Sequence, residues 1–374
     1  MSVPKPVEDN ATGGPLVVGF KPFEVPGQHL VHGNIFPLAL KLVDEDPSVP
    51  LGDVIEKIKQ LAKDGTIRHL LNKHGVLYFR GLPLKTREEL SVFVEAFGFK
   101  NEHQEIGLSG IRSQVSKHIK TASELPGTVS MFFHNEYART NHFPEIVFFY
   151  SERVPEQGGQ TPLASSLELY DSVKAEFPEL VDKLLELGVI GRQYYPSKDD
   201  PDAKAIGWNW QDSYGFDIKE GDSLEVQHEK VEKLLREEVK AEAEWQPNGS
   251  LHVVQRVPAI RKIKSSGLYS FFNTLSGVYG VAKRLGALEY PYKEKNGPGY
   301  KLPSSFGDGS PIPEKYLERI IEIQDSIGFL VPWKEGDIAV VNNYTVQHSR
   351  TKFVGERSVL VSLWDDIDDF DRTA

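Results

Sequence analysis

Two short segments of the sequence carry residue types that could bind a metal ion. In the first, Met131–Glu136, His134 and Glu136 stand two positions apart after an apolar run. On a β-strand, residues i and i+2 project from the same face, so both side chains are expected to point together. The second segment places His348 just after the apolar run Ile338–Val341. Two histidines and one carboxylate form the facial ligand set of non-haem Fe(II) oxygenases, which leaves coordination positions open for a co-substrate and O₂.

Composition narrows the chemistry further. The chain has 374 residues, 11 histidines and no cysteine, so disulfides, zinc–thiolate sites, iron–sulfur clusters and cysteine nucleophiles are excluded. The formal net charge of −11 argues against a nucleic-acid-coating protein. The longest apolar runs are too short for a membrane helix, and no secretory signal is visible at the N-terminus. We therefore expect a cytoplasmic protein that acts on a small molecule, with neither nucleic acid nor a membrane as partner.

Helical patterns lie mainly in the first part of the chain. Residues 1–50 are rich in Pro and Gly, and we expect an extended arm on the surface of a single domain spanning 51–374. Residues 51–72 have apolar side chains at helical spacing, and the Thr86–Glu89 capping box opens a second helix. Further helices are predicted at 313–327 and, as an insertion among strands, around 222–246.

Short apolar runs separated by Gly and Pro dominate the rest of the sequence. They predict strands and a mainly β fold, a barrel or sandwich, with helical decoration. The acidic segment 365–371 is interpreted as a solvated tail. The predicted strands are His74–Arg80, Val129–Phe133, Glu145–Tyr150, Val189–Tyr194, Leu251–Val257, Leu268–Phe272, Ile338–Val341 and Val359–Trp364.

Three segments in this order resemble the Fe(II)/2-oxoglutarate dioxygenases of the taurine dioxygenase (TauD/TfdA) superfamily, in its clavaminate synthase-like branch. They are Phe133–Glu136, Gly158–Pro162 and Gly336–Phe353, and the resemblance covers roughly residues 76–364. It implies a double-stranded β-helix (jelly-roll) core. It also implies Fe(II), 2-oxoglutarate and O₂ as cofactor and co-substrates.

The same resemblance assigns roles to individual residues. It implies that His134, Glu136 and His348 are the metal ligands and the catalytic centre. It further implies that Thr161, in the Gly-Gly-x-Thr-Pro segment, hydrogen-bonds the distal carboxylate of 2-oxoglutarate.

The basic partner of that carboxylate is less clearly marked. Members of the family commonly use an arginine ten to fifteen residues after the second histidine, but Ser358 and Ser362 stand there. Arg357 is our first candidate and Arg350 the second, because an arginine fork suits a carboxylate. Strand alternation would place Arg357 on the face opposite to the two serines. If neither reaches the pocket, a basic residue from another strand takes the role.

Substrate contacts are predicted at Asn273, Asn343 and Arg139. Asn273 resembles an asparagine that many members place near the site, although a capping role is the alternative. Asn343 precedes the second histidine and could orient it, and Arg139 could meet a substrate carboxylate or form a structural ion pair. Residues 104–117 are interpreted as a loop that could act as a lid.

The sequence therefore predicts an oxygenase that oxidises an unactivated C–H bond of a small amino-acid-like or carboxylate substrate. The outcome would be hydroxylation, desaturation or cyclisation, with release of succinate and CO₂. Two alternatives stay open: an iron-less jelly-roll binding protein, and a metal hydrolase that uses the same His/Glu/His set.

Overall fold

The computed structural model describes residues 19–43, 49–107, 112–122 and 125–370. The strands of this part of the chain are β1 Phe20–Pro22, β2 His29–Val31, β3 Asn34–Phe36, β4 Leu38–Leu42, β5 Val76–Arg80, β6 Asn101–Glu102, β7 Gln114–Ser116, β8 Ile119–Thr121, β9 Met131–His134, β10 Ile146–Arg153, β11 Gln157–Gly158, β12 Leu163–Ser165, β13 Val189–Tyr195, β14 Ala241–Trp245, β15 Leu251–Val257, β16 Arg261–Lys262, β17 Tyr269–Ser270, β18 Ser305–Phe306, β19 Ile338–Asn342, β20 Val346–Arg350, β21 Phe353–Val354 and β22 Ser358–Asp365.

The helices pack around these strands. They are α1 Leu51–Lys63, α2 Thr66–His74, α3 Arg87–Glu95, α4 Ser166–Glu176, α5 Pro178–Leu187, α6 Ala203–Ile206, α7 Trp210–Tyr214, α8 Leu224–Leu234, α9 Leu275–Leu285 and α10 Glu314–Ile327, and a π-helical turn Leu235–Val239 follows α8. None of the helices in the described ranges is long and apolar enough to cross a membrane.

The largest sheet runs in the order β1-β4-β5-β19-β10-β22-β8-β7, and β6 pairs with β22. Its central strand β10 is apolar on both faces, which explains the unbroken apolar run in the sequence. Ile146 and Phe148 pack in a core shared with α1, α2 and α3. Val147 and Phe149 pack on the other face, in a core shared with β12 and β20.

A smaller sheet, β12-β20-β9, therefore packs on the inner face of the large sheet. Leu163 from β12 and Val346 from β20 are fully buried in that shared core. The small sheet carries both histidines that the sequence singled out. A third group of strands, β14-β15-β13-β18, forms a separate sheet.

Residues 1–18 and 44–48 of the expected extended surface arm lie outside the described residues, and residues 19–43 differ from that expectation. Residues 20–42 form four strands, and β4 pairs in parallel with β5 inside the large sheet. Phe20, Leu38 and Leu40 are buried in the main core. These strands are only three to five residues long, so they carry too little periodicity to be recognised from sequence.

Two helical predictions also need correction. The segment 51–72 is interrupted at Gly65, whose positive φ of 83° separates α1 from α2. The insertion around 222–246 is helical only to Val239, and Ala241–Trp245 forms edge strand β14. The helix beginning after Thr86 and the one at Glu314–Ile327 are confirmed, the first with both hydrogen bonds of its capping box.

The described part of the acidic segment, residues 365–370, is docked rather than solvated. Phe370 is fully buried, and its ring stacks on Tyr344 with the centroids 4.0 Å apart. Asp366 pairs with Arg68, and Asp365 pairs with the buried His103. Phe370 lies within this run of acidic residues, and its burial against Tyr344 determines where the segment packs.

Candidate active site

His134, Glu136 and His348 lie together at one end of the small sheet. One ligand atom from each residue lies within 4.8 Å of the others. Glu136 and His348 are buried, whereas His134 is partly exposed. This opens one side of the cluster toward a ligand.

Strand pairing places the two histidines side by side. His348 of β20 lies directly opposite His134 of β9, and their ring centroids are 4.3 Å apart. Directly opposed residues of an antiparallel pair project from the same face, so both imidazoles point to one side. The ring of Phe149, from the large sheet, packs on His348 at a centroid distance of 4.8 Å.

Glu136 reaches the cluster in a different way from the one expected. Strand β9 ends at His134, so Glu136 lies in the following turn, and strand alternation does not position it. Asn343 holds this turn: its Oδ1 accepts from the Glu136 backbone N–H at 2.7 Å, and its Nδ2 donates to the Glu136 carbonyl at 3.0 Å. Asn343 is fully buried, so it supports a ligand backbone and is not a substrate contact.

Sequence reasoning missed Arg112 as a functional residue. Its Nη2 donates to Oε1 of Glu136 at 2.9 Å, and its Nη1 donates to Oε1 of Glu105 at 2.7 Å. Lys120 and the Tyr137 hydroxyl also bind the Glu105 carboxylate, at 2.5 and 3.0 Å. A basic residue in the predicted lid was visible in the sequence, but nothing there indicated which acid it would meet.

The protonation states suit metal binding. Burial, helped by the neighbouring His348 imidazole, lowers the pKa of His134 to about 4. Burial acts against charge on Glu136, but Arg112 and His348 outweigh it and hold the pKa of Glu136 well below its usual range. Near neutral pH, His134 is therefore neutral and Glu136 is ionised, as metal ligands must be.

Hydrogen bonding orients the donor atoms. His134 Nδ1 lies 2.9 Å from the Phe132 carbonyl, and in the tautomer that donates this bond Nε2 keeps a free lone pair. Nε2 of His348 faces Oε2 of Glu136 at 3.2 Å. Two ligand-type atoms this close need a shared proton or cation between them. Two imidazoles and one carboxylate suit Fe(II), so the residues fit the metal.

Arg357 contacts Thr161, which lies two residues before Leu163, the strand partner of His348. Arg357 donates from Nη2 to the Thr161 hydroxyl at 3.2 Å and from Nε to the Gly159 carbonyl at 2.7 Å. Burial, with a contribution from Arg350, lowers the pKa of Arg357 to about 10. In the described residues no carboxylate pairs with Arg357, so the structure leaves a partly buried cation beside a hydroxyl, suited to an anionic ligand.

Gly158 and Gly159 make this arrangement possible. Both have positive φ, 69° and 72°. A Cβ on Gly158 would lie 2.0 Å from the Lys352 carbonyl oxygen, and a Cβ on Gly159 would lie 3.0 Å from Cδ of Arg357. The Gly-Gly pair lets β11 approach β21 and leaves room for the Arg357 side chain.

Strand alternation does not apply to Arg357, because β22 begins one residue later at Ser358. The hydroxyl of Ser358 instead donates to Glu152. Arg350 has a different environment: it is buried, and its guanidinium donates to the carbonyls of Leu125, Pro126 and Val129. The structure therefore brings Arg357, and not Arg350, to Thr161.

The remaining substrate candidates divide into two groups. Asn273 is buried, its Nδ2 donates to the Ala259 carbonyl, and its Oδ1 accepts from Leu275 at the start of α9. It therefore supports the helix start instead of offering a group to substrate. Arg139 points to the separate sheet, where Gln193, with its amide oriented to accept, binds it at 3.0 and 3.2 Å. Of the predicted lid, residues 108–111 lie outside the described residues.

Comparison with known proteins gives consistent matches. The family model described as taurine catabolism dioxygenase TauD, TfdA family, matches residues 34–364. A clavaminate synthase-like protein from Arabidopsis thaliana is 30% identical over 296 residues, which cover 79% of this chain and 82% of that protein. The dapdiamide synthesis protein DdaC from Enterobacter agglomerans is 24% identical over 306 residues, covering 80% of this chain and 85% of that protein.

A solved taurine dioxygenase from Burkholderia xenovorans aligns with a TM-score of 0.46 at 14% identity. The alignment covers 89% of this chain and 88% of that one.

Proposed function

Because the chain belongs to the TauD/TfdA family and is an Fe(II)/2-oxoglutarate-dependent dioxygenase, we propose that it oxidises an unactivated C–H bond of a small amino-acid-like or carboxylate substrate. The reaction would be a hydroxylation, desaturation or cyclisation, with release of succinate and CO₂. The observation that carries the proposal is the cluster of His134, Glu136 and His348, with one ligand atom of each within 4.8 Å of the others.

In this proposal the three residues hold Fe(II) through Nε2 of the two imidazoles and Oε2 of the carboxylate. Bound Fe(II), with 2-oxoglutarate and O₂, supplies the oxidising power for C–H cleavage. The protein contributes orientation: Arg112 occupies Oε1 of Glu136, and Phe149 packs against His348. Phe149 and His348 are both buried, which limits access of water to this side of the cluster.

Arg357 and Thr161 are assigned to the co-substrate. The Arg357 charge has no carboxylate partner in the described residues, and the Thr161 hydroxyl is bound to it at 3.2 Å. A carboxylate entering there would gain a charge-assisted hydrogen bond from the guanidinium and a second one from the hydroxyl. We assign the distal carboxylate of 2-oxoglutarate to this position.

The packing of the small sheet on the large one supports a double-stranded β-helix core. Both histidines and Thr161 lie on or beside the small sheet, which is where such a core would hold its cofactor. We further propose one catalytic domain that includes β1 and β4, since both strands belong to the large sheet. The cytoplasmic location stays a prediction.

The two alternatives are less well supported. An iron-less binding protein would have no need for three ligand side chains held ready together. A His/Glu/His hydrolase would leave the Arg357–Thr161 pair without a purpose, because the attacking water needs no such anion site.

The test starts with anaerobic protein, to which Fe(II) and then 2-oxoglutarate are added. A visible charge-transfer band and, after admission of air, formation of succinate are expected. His134→Ala and His348→Ala should abolish both signals, whereas His69→Ala, an exposed histidine on α2, should leave them unchanged. A folded wild-type protein that shows neither the band nor succinate contradicts the proposed function.

A further inference from the structure

A network of three buried amides, Asn135, Gln347 and Gln324, lies behind the proposed metal ligands. Gln347 directly precedes His348 in β20, and successive side chains of a strand project to opposite faces. Nε2 of Gln347 donates to Oδ1 of Asn135 at 3.2 Å. In the sequence Asn135 stands between the other two proposed ligands. These two amides therefore join the two segments that carry all three ligands.

Asn135 and Asn343 each bind the other's segment. Nδ2 of Asn135 donates to the Asn343 carbonyl at 2.8 Å and to the Val346 carbonyl at 3.1 Å. The Asn343 side chain in turn binds both the N–H and the carbonyl of Glu136. Asn135 is fully buried, and hydrogen bonds away from water are electrostatically stronger. Reciprocal hydrogen bonds thus fix the turn that carries Glu136 to the connection between β19 and β20.

The amide network continues from the small sheet into two helices. Gln324 of α10 donates from Nε2 to Oε1 of Gln347 at 2.6 Å. The hydroxyl of Ser276 in α9 donates to Oε1 of Gln324 at 2.8 Å. All three side chains belong to residues that are at most 2% exposed. The position of Gln347 therefore depends on helices that supply none of the proposed ligands.

The hydrogen bonds of the amide network run in one direction, and its end determines that direction. Backbone carbonyls can only accept, so Nδ2 of Asn135 must face the two carbonyls that it contacts. Its Oδ1 then needs a donor, which is Nε2 of Gln347, and Oε1 of Gln347 accepts from Gln324. The Phe271 carbonyl, 3.3 Å from Nε2 of Gln347, requires the same orientation. Each amide therefore has a single orientation that its neighbours impose.

We propose that Gln347 and Gln324 are positioning residues for the metal centre. Gln347 acts through Asn135 and holds the two ligand-bearing segments at a fixed separation, while Gln324 fixes the orientation of the Gln347 amide. Ligands that are held in place before the ion arrives need less reorganisation, which favours binding. This inference rests on the proposed function, because it takes the His/Glu/His cluster as the metal site.

The test measures equilibrium Mn(II) binding by full-length protein, at a temperature at which each variant is folded. Gln347→Met and Gln324→Met each remove an amide at similar size. Loss of a group that supports metal ligands typically lowers metal affinity 10- to 100-fold, so we expect a loss of about tenfold or more for Gln347→Met. We expect a smaller but measurable loss for Gln324→Met, which acts one step further away. With Fe(II) and 2-oxoglutarate, the charge-transfer band should shift or weaken in both variants.

Gln211→Met is the matched control. The Gln211 amide also makes two hydrogen bonds, from the Lys198 N–H and to the Ser197 hydroxyl, but both go to the loop that follows β13. This variant should lower the melting temperature and leave Mn(II) affinity and the charge-transfer band unchanged. An equal loss of Mn(II) affinity in the control would overturn the proposal, because the loss would then follow from stability alone.

A purely structural role of the amide network predicts a different result. Folded Gln347→Met would then have a lower melting temperature but wild-type Mn(II) affinity and a wild-type band, and this outcome overturns the proposal. If Gln347→Met does not fold, Gln324→Met decides by the same criterion, since its side chain lies on α10. Failure of the proposed function is distinguishable, because wild-type protein itself would then bind no Mn(II).

Discussion

Arg112 and Glu136 form an ion pair at the edge of the metal cluster, with Nη2 of the arginine 2.9 Å from Oε1 of the carboxylate. The other carboxylate oxygen faces His348 at 3.2 Å. Oε1 of Glu136 therefore binds the arginine, and Oε2 faces the position proposed for the metal. Arg112 is itself held by Glu105, so the direction of the carboxylate depends on a network of buried charges.

Replacing Arg112 should weaken metal binding. In Arg112→Ala the carboxylate loses the group that fixes its direction, and changes in such supporting contacts typically lower metal affinity or activity 10- to 100-fold. We expect a loss of about that size in Mn(II) affinity, measured by titration calorimetry, and a smaller loss in Arg112→Lys. Arg256→Ala, at an exposed arginine paired with Glu242, is the control. Equal Mn(II) affinities of wild type and Arg112→Ala would show that Glu136 is positioned without the arginine.

Substitution of Arg357 and substitution of Arg350 should have different effects. Arg357→Ala removes the cation beside Thr161, so the concentration of 2-oxoglutarate that half-saturates succinate formation should rise at least about tenfold, as expected for a lost charged partner. Arg350→Ala removes donors to three backbone carbonyls and should mainly lower the melting temperature. A larger rise in the 2-oxoglutarate requirement for Arg350→Ala than for Arg357→Ala would reverse the assignment.

Asn343 should matter for folding more than for substrate choice. Asn343→Leu leaves the Glu136 N–H and the carbonyls of Glu136 and Pro144 without their partner. We expect the free energy of unfolding to fall by about 2–4 kcal/mol in urea titrations, since several buried backbone groups become unpaired. Asn101→Ala, at an exposed position in β6, should change it little. Equal midpoints for Asn343→Leu and wild type would contradict this role.

Glu145 should make stability depend on pH. Burial raises the pKa of Glu145 from 4.5 to about 7, although Arg68 acts in the opposite direction. The folded state therefore binds the proton more tightly than the unfolded state, and the free energy of unfolding should fall as pH rises from about 4.5 to 7. The loss is at most about 3 kcal/mol.

Glu145→Gln should flatten this part of the stability curve, as measured by urea unfolding at several pH values. Glu186→Gln, at an exposed position on α5, should follow the wild-type curve. Parallel curves for Glu145→Gln and wild type would mean that Glu145 stays ionised throughout.

Long apolar strands and capped helices could be read from the sequence. Leu251–Val257 is found with the expected bounds, and the helix after Thr86 has its capping box. The short strands of the N-terminal segment could not be predicted from the sequence, because their burial depends on partners far along the chain. The same holds for Phe370, whose anchoring contact with Tyr344 is purely tertiary.

For the site, the sequence predicted that His134, Glu136 and His348 lie together, but strand alternation explains only part of this arrangement. Strand pairing brings His134 opposite His348, whereas Glu136 arrives through a turn held by Asn343. Arg112 could not be found from the sequence, since its partner Glu136 lies on a different segment. Asn273 was a candidate pocket residue because asparagine serves both to begin helices and to bind substrates. The sequence alone does not distinguish these two roles.

The pairing of His134 in β9 with His348 in β20 also has a consequence for the rate of folding. The two ligands come from distant parts of the chain, so they meet only once the small sheet has closed. Closing such non-local pairings is the slow part of folding in β-rich proteins. A metal ion that needs both histidines would bind the closed sheet and not its precursors, and by mass action would raise the population of the closed sheet once it has formed.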